Sequence, residues 1–197
     1  DVPWQVATAL IIILISIIGG RIIPYFTRNW MAKRGERTRL PTQPAALDLL
    51  VIAATAICLL FWIAFPRNAL TGGMLMLAAA LQLIRLSRWG GVQTLSDPLV
   101  LILHVGYLWI PFGLLLLGLS ISGFAVPRSA AIHALTAGAM TTLILALMTR
   151  ATLGHLGREL RANRATVVLY LYVTLGALLR VAASLGFGSY MFMLHVC

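Results

Sequence analysis

Charge is what this sequence has least of. Asp, Glu, Lys and Arg together fill 10% of its 197 positions, whereas a soluble domain devotes about a quarter of its residues to them. That shortage excludes a water-soluble fold. Cysteine is scarce too: Cys58 lies in an apolar run and Cys197 is the last residue, so no thiols stand at the spacing of a zinc site, a redox pair or a CxxCH haem attachment. The first apolar run has no basic region before it, is too long for a secretory core and lacks a small-residue cleavage site, which makes it a retained span and not a signal peptide. The net charge of +10 comes from basic residues in the gaps between apolar runs, where membrane topology accounts for them, and nucleic acid is not an expected partner. A start at Asp1 without methionine and an end just after a hydrophobic tail read as a piece of a longer chain.

What the sequence has in abundance is uncharged length. Val2 to Gly20, Leu49 to Pro66, Asn68 to Ile84, Pro98 to Pro127, Ser129 to Thr149 and Ala165 to Leu179 carry no Asp, Glu, Lys or Arg. Each approaches the roughly 20 residues that cross a hydrocarbon core. The predicted fold class is all-α, a polytopic transmembrane helical bundle forming one domain over residues 1–197, with six spans at about 5–24, 45–65, 69–86, 98–119, 129–150 and 166–187. Helices are required because unpaired backbone groups are too costly in lipid, and the runs lack the in-out alternation of a barrel strand. Pro24, Pro41, Pro44, Pro66, Pro98 and Pro127 punctuate the runs and mark their predicted ends. Pro111 alone falls mid-span, where it predicts a kink with room supplied by Gly106 and Gly113.

Lys and Arg set the orientation. Arg28, Lys33, Arg34, Arg37 and Arg39 follow the first span, Arg88 the third, and Arg158, Arg161 and Arg164 the fifth, while the opposite loops hold only Arg67 and Arg128. By the positive-inside rule the richer loops are cytoplasmic and both chain ends are periplasmic. Trp4, Tyr25, Trp30, Trp89 and Tyr190, near the predicted boundaries, read as an interfacial aromatic belt.

Against this background the polar residues within spans stand out: His104, Arg150 and Arg180, with Arg21, Arg85, His133 and His155 near the edges. A charge near mid-bilayer costs about 3 kcal/mol on insertion scales, so it usually faces the bundle interior with a partner. Arg180 is the deepest, and Tyr172, Gly176, Arg180 and Ser184 recur at i+4 as a stripe expected to face protein. Arg21 and Arg85 are expected to snorkel to headgroups. In the fifth span Ala130, Ala134, Gly138, Thr142, Ala146 and Arg150 form a small-residue ridge suited to close helix packing. His104 and His133 each read equally as a ligand or as a hydrogen-bonded structural residue. His133 and His155 stand 22 residues apart, about 33 Å along one helix, too far to share a metal ion. His104 lies toward the same end as His155, and those two could approach if the fourth and fifth helices pack together.

Three segments, GGRIIPYFTRNW at Gly19 to Trp30, HVGYLWIPFG at His104 to Gly113 and HALTAGAMTTLILALMTRATLGHLGREL at His133 to Leu160, resemble the NnrS family of bacterial membrane proteins. The third is the most specific, with His, Thr-x-Gly, Met-Thr-Arg and Gly-His-x-Gly-Arg in fixed order across one helix and its exit. The similarity runs over nearly the whole chain, with a departure in the tail from Phe187 to Cys197. It implies a multi-pass protein of the bacterial cytoplasmic (inner) membrane that contains haem and copper and acts in nitric oxide metabolism and protection from nitrosative stress. It further implies that a first half of the same protein, bearing another histidine, pairs with this region. Its implied partners are the lipid bilayer and nitric oxide or an iron-nitrosyl species. Carried onto these positions, His104, His133 and His155 become metal-ligand candidates. His104 and His133 with Arg150, Arg158 and Arg180 become the cofactor-binding set, the arginines holding haem propionates or a small anion.

A catalytic step is not legible. No Met-x-x-Met cluster is present, so copper rests on the resemblance. The competing class is half of a secondary transporter for a small anion, with intramembrane arginines as its site and Pro111 marking a moving helix; it leaves the histidines unexplained, and no internal repeat supports it. A structural subunit docked through small-residue ridges is a third.

Overall fold

The computed structural model describes residues 2–36, 40–41 and 45–186, and among them it contains helices and connections but no strand. Six helices are long and apolar enough to cross a membrane: α1 Val2–Lys33, α2 Ala46–Ala64, α3 Ala69–Ser87, α4 Pro98–Ile121, α5 Arg128–His155 and α6 Arg164–Ser184. The chain is a multi-pass membrane protein. Five of the six expected spans lie within a few residues of their predicted bounds. The first differs, because α1 continues through Pro24 to Lys33. Proline is tolerated inside a membrane helix where neighbouring elements hold the backbone in place, and Pro24 is buried directly after the stretch on which α3 and α4 lean, with Tyr107 against Gly19 and Arg85 against Gly20.

The loops carry recognisable start and stop chemistry. Asp97 caps α4 by accepting from the amides of Leu99 at 2.9 Å and Val100 at 3.3 Å, with Pro98 in the first turn. Asn163 caps α6 by accepting from Thr166 N at 2.8 Å. The end of α5 closes as a Schellman turn: Gly157 takes φ 61°, Arg158 N reaches Leu153 O at 3.0 Å and Gly157 N reaches Gly154 O at 3.1 Å.

α4 sits at the centre. It is apolar around its circumference and buried around most of it, as an enclosed helix must be. α3 packs along one side of it and α5 along the other, α1 and α2 close the bundle, and α6 leans on α5. The ridge on α5 packs as expected: Ala130, Ala134, Thr142 and Ala146 are fully buried and Gly138 lies against the Trp109 ring. Between its α-helical ends α5 widens to a π-helix at Ala134–Met140, with Thr141 Oγ1 donating to Thr136 O at 3.1 Å. Four residues overshoot a full α-turn by about 40°, so a ridge repeating at four drifts around an α-helix, and the wider π-segment offsets part of that drift.

Of the residues expected in the aromatic belt, Tyr25 is exposed and Trp30 half-buried. Trp89 is not interfacial; it is buried, edge-on to Tyr107 with ring centroids 4.6 Å apart, because the chain turns back over the bundle end through the 3-10 turn Gly91–Thr94. Trp4 packs against Trp62, and Tyr190 lies outside the described residues.

Candidate functional site

Between the π-segment of α5 and α6 runs an open groove of about 800 Å³, lined by His133, Thr136, Met140, Tyr172, Gly176 and Arg180 among others. The volume is that of a ligand or cofactor site. His133 opens the π-segment, and Arg180 stands across from it, near enough for its charge to act on the imidazole. The imidazole has no hydrogen-bond partner, and the guanidinium has no acidic partner, among the described residues. π-segments disturb the regular backbone ladder and recur at functional sites; here the segment sets His133 on the groove wall while the ridge behind it keeps its contact with α4.

This placement corrects the expectation for the α6 stripe. Tyr172 is 72% exposed and Arg180 is exposed, so the stripe flanks an open groove and is not packed into protein. The residues that α6 buries are instead Tyr170, Ala177, Val181 and Ala183. A helix presents its best-fitting apolar face to a small-residue partner, and that displaces the arginine to the flank.

His104 is held differently. Its Nδ1 lies 3.1 Å from Val100 O and its Nε2 3.4 Å from Thr27 Oγ1, so both ring nitrogens face polar partners in the interior. Gly91 backs onto the ring, and a Cβ there would come within 2.8 Å of Cδ2. α4 and α5 are successive spans and run in opposite directions. His104 near the start of one and His133 near the start of the other therefore lie toward opposite ends of the bundle.

The remaining candidates scatter. Arg150 lies over the Phe26 ring, 4.0 Å from its centroid, beside Asn29 and Lys33 in a second cavity of about 530 Å³ at the His104 end. Arg158 is exposed on the turn after α5, and His155 is exposed in the last turn before it. No polar contact joins His155 to His104 among the described residues, and no three His, Cys, Asp or Glu side chains gather as a metal site there. Of the predicted set, His133 and Arg180 come together; His104, Arg150, Arg158 and His155 do not join them.

The largest polar assembly went unread in the sequence. Arg85, expected at the headgroups, is 1% exposed, and its Nε donates to Asp48 Oδ1 at 2.7 Å. Arg85 Nη1 donates at 3.0 Å to Ser16 O, Ser16 Oγ and Tyr107 Oη. Tyr107 in turn donates to Gln82 Oε1 at 2.7 Å, and Gln82 Nε2 donates to Ser16 Oγ at 2.9 Å and Thr55 Oγ1 at 3.0 Å. Four helices, α1 to α4, are thus tied by one network with its protons directed head to tail. Arg85 reaches it only because position 20 is glycine, since a Cβ there would overlap the guanidinium. The signal was present as Gln82 and Arg85 one turn apart on α3, but Asp48 stood just outside a run defined by the absence of charge.

The sequence profile of a family described as "NnrS protein" matches residues 2–197. No curated protein and no solved structure matches the chain.

Proposed function

Because the chain belongs to the NnrS family, we propose that it is a haem-binding membrane protein of the nitric oxide response, with the groove at His133 as its cofactor seat. One observation carries this reading: an imidazole and a guanidinium without an acidic partner among the described residues line one groove between two membrane helices. The fit is chemical. An axial imidazole is the usual protein bond to haem iron, and a guanidinium is the natural partner of a propionate. His133 would hold the metal and Arg180 a carboxylate, with Tyr172 and Thr136 as further polar neighbours. Bound haem supplies an iron that takes up diatomic ligands. His104 is less suited, with both nitrogens engaged and Gly91 against the ring.

Copper finds no set of three His, Cys, Asp or Glu ligands among the described residues, so a copper site would draw on other ligands, including those of a first half of the protein. The bacterial inner membrane as its location, and periplasmic chain ends, belong to the same proposal and rest on the family and on the loop charges. The visible spectrum of purified full-length protein tests the reading: a Soret band that shifts on addition of nitric oxide is expected, and a colourless protein with full helical content would refute it.

A further inference from the structure

At the end of the bundle opposite Asp48 and His104, the start of α1, the end of α2 and the start of α5 meet. Arg128 packs beside a pair of indoles there, its Cζ 4.7 Å from the Trp4 ring centroid and 5.8 Å from that of Trp62, while the two rings meet edge-on at 5.4 Å. Trp62 and the adjacent α1 residue Gln5 are each 1% exposed. Yet Trp62 Nε1, Gln5 Nε2 and Arg128 Nε and Nη2 are all buried with no hydrogen-bond partner. An indole and a guanidinium can only donate, so what is missing is an acceptor. Buried donors are nearly always paired, and several left open around one arginine mark a place where something binds.

The charge decides what kind of acceptor. Arg67, in the loop after α2, lies close enough to act on Arg128 by repulsion. The acids among the described residues, Glu36, Asp48, Asp97 and Glu159, stand after α1, at the start of α2, before α4 and after α5, all at the other end. Two cations with no counter-charge among the described residues, and three kinds of unsatisfied donor, favour an anion over water. We infer that the open donors of Trp62 and Arg128, with those of Gln5 at the same end of the bundle and the charge of Arg67 acting on Arg128, bind an oxyanion of the phosphate class, from a lipid headgroup or free in solution. Trp4 and Trp62 pack against the guanidinium and limit its freedom.

The test uses the full chain, purified in detergent and in nanodiscs. Inorganic phosphate is titrated against tryptophan emission in detergent, and retained lipid is read by native mass spectrometry from phosphatidylglycerol and from phosphatidylcholine nanodiscs. One of the two probes should bind, and Arg128→Gln should weaken it by about tenfold or more, the loss of a charge-assisted hydrogen bond. Saturable phosphate binding names the free anion; retention of phosphatidylglycerol without phosphate binding names the headgroup. Trp62→Phe keeps the packing and removes one donor, so it should weaken the same probe several-fold and carries the test if Arg128→Gln does not fold. Binding of neither probe, or a Trp62→Phe protein that binds as well as the parent and melts higher, would overturn the inference. So would binding that appears only after Asp1→Asn, since Asp1 precedes Val2 outside the described residues and would then be the acceptor.

Discussion

Arg85 Nε donates to Asp48 Oδ1 at 2.7 Å where neither side chain reaches solvent, joining α3 to the first turn of α2. The second carboxylate oxygen accepts from Ala45 N at 3.0 Å, and Arg88 lies 4.0 Å from it. Both carboxylate oxygens and two of the guanidinium nitrogens are thus engaged. Removing one partner of such a pair strands a buried charge and is destabilising by about 3–5 kcal/mol. Asp48→Asn and Arg85→Leu should each lower the melting temperature of the purified protein sharply, whereas Arg88→Gln, at the long contact, should leave it nearly unchanged. Equal effects of all three on thermal melts would contradict the network.

Gly20 makes the room that Arg85 fills. Gly20→Ala is expected to cost about 1–3 kcal/mol by overpacking, and the double variant Gly20→Ala with Arg85→Leu should be less unstable than the sum of the two. A melting series showing strict additivity would mean that the two positions do not meet.

Orientation is testable without purification. Reporter fusions after residue 35 or 160 should report cytoplasm and one after residue 125 periplasm, because the loops rich in Arg and Lys sit at the first end and only Arg67 and Arg128 at the other. The inverse pattern would turn the bundle over and put the His133 groove near the cytoplasmic face.

Arg180 stands exposed on the groove flank and has no acidic partner among the described residues. A cation that only snorkels is improved by leucine, so Arg180→Leu separates two roles. With a propionate as its partner, the variant should retain several-fold less haem at an unchanged yield of folded protein, and Arg180→Lys should recover part of it. Unaltered haem content with a higher yield would make the arginine a headgroup contact.

Much of this architecture was legible in the apolar runs, since their length in lipid leaves little choice but a helix. Pro24 misled, because a proline ends a helix in water but is carried through a membrane span by its neighbours. Arg85 and Trp89 misled for a shared reason: position near a span boundary does not say what packs there, and Arg85 is buried among Asp48, Ser16 and Tyr107 while Trp89 lies against Tyr107. His133 and Arg180 were singled out by type and depth, yet their meeting depended on how α6 leans on α5, which no local pattern encodes. The tail bearing His195 lies outside the described residues.

The most direct measurement is the Soret absorbance per protein of full-length His133→Ala beside His104→Ala and His195→Ala. Haem seated in the groove predicts that His133→Ala loses the band while remaining helical, since His133 would hold the iron and alanine carries no group that could, and that His195→Ala keeps it. His104→Ala should lose stability through its contacts to Val100 and Thr27 before it loses colour. A full Soret band in His133→Ala would contradict the assignment of the groove.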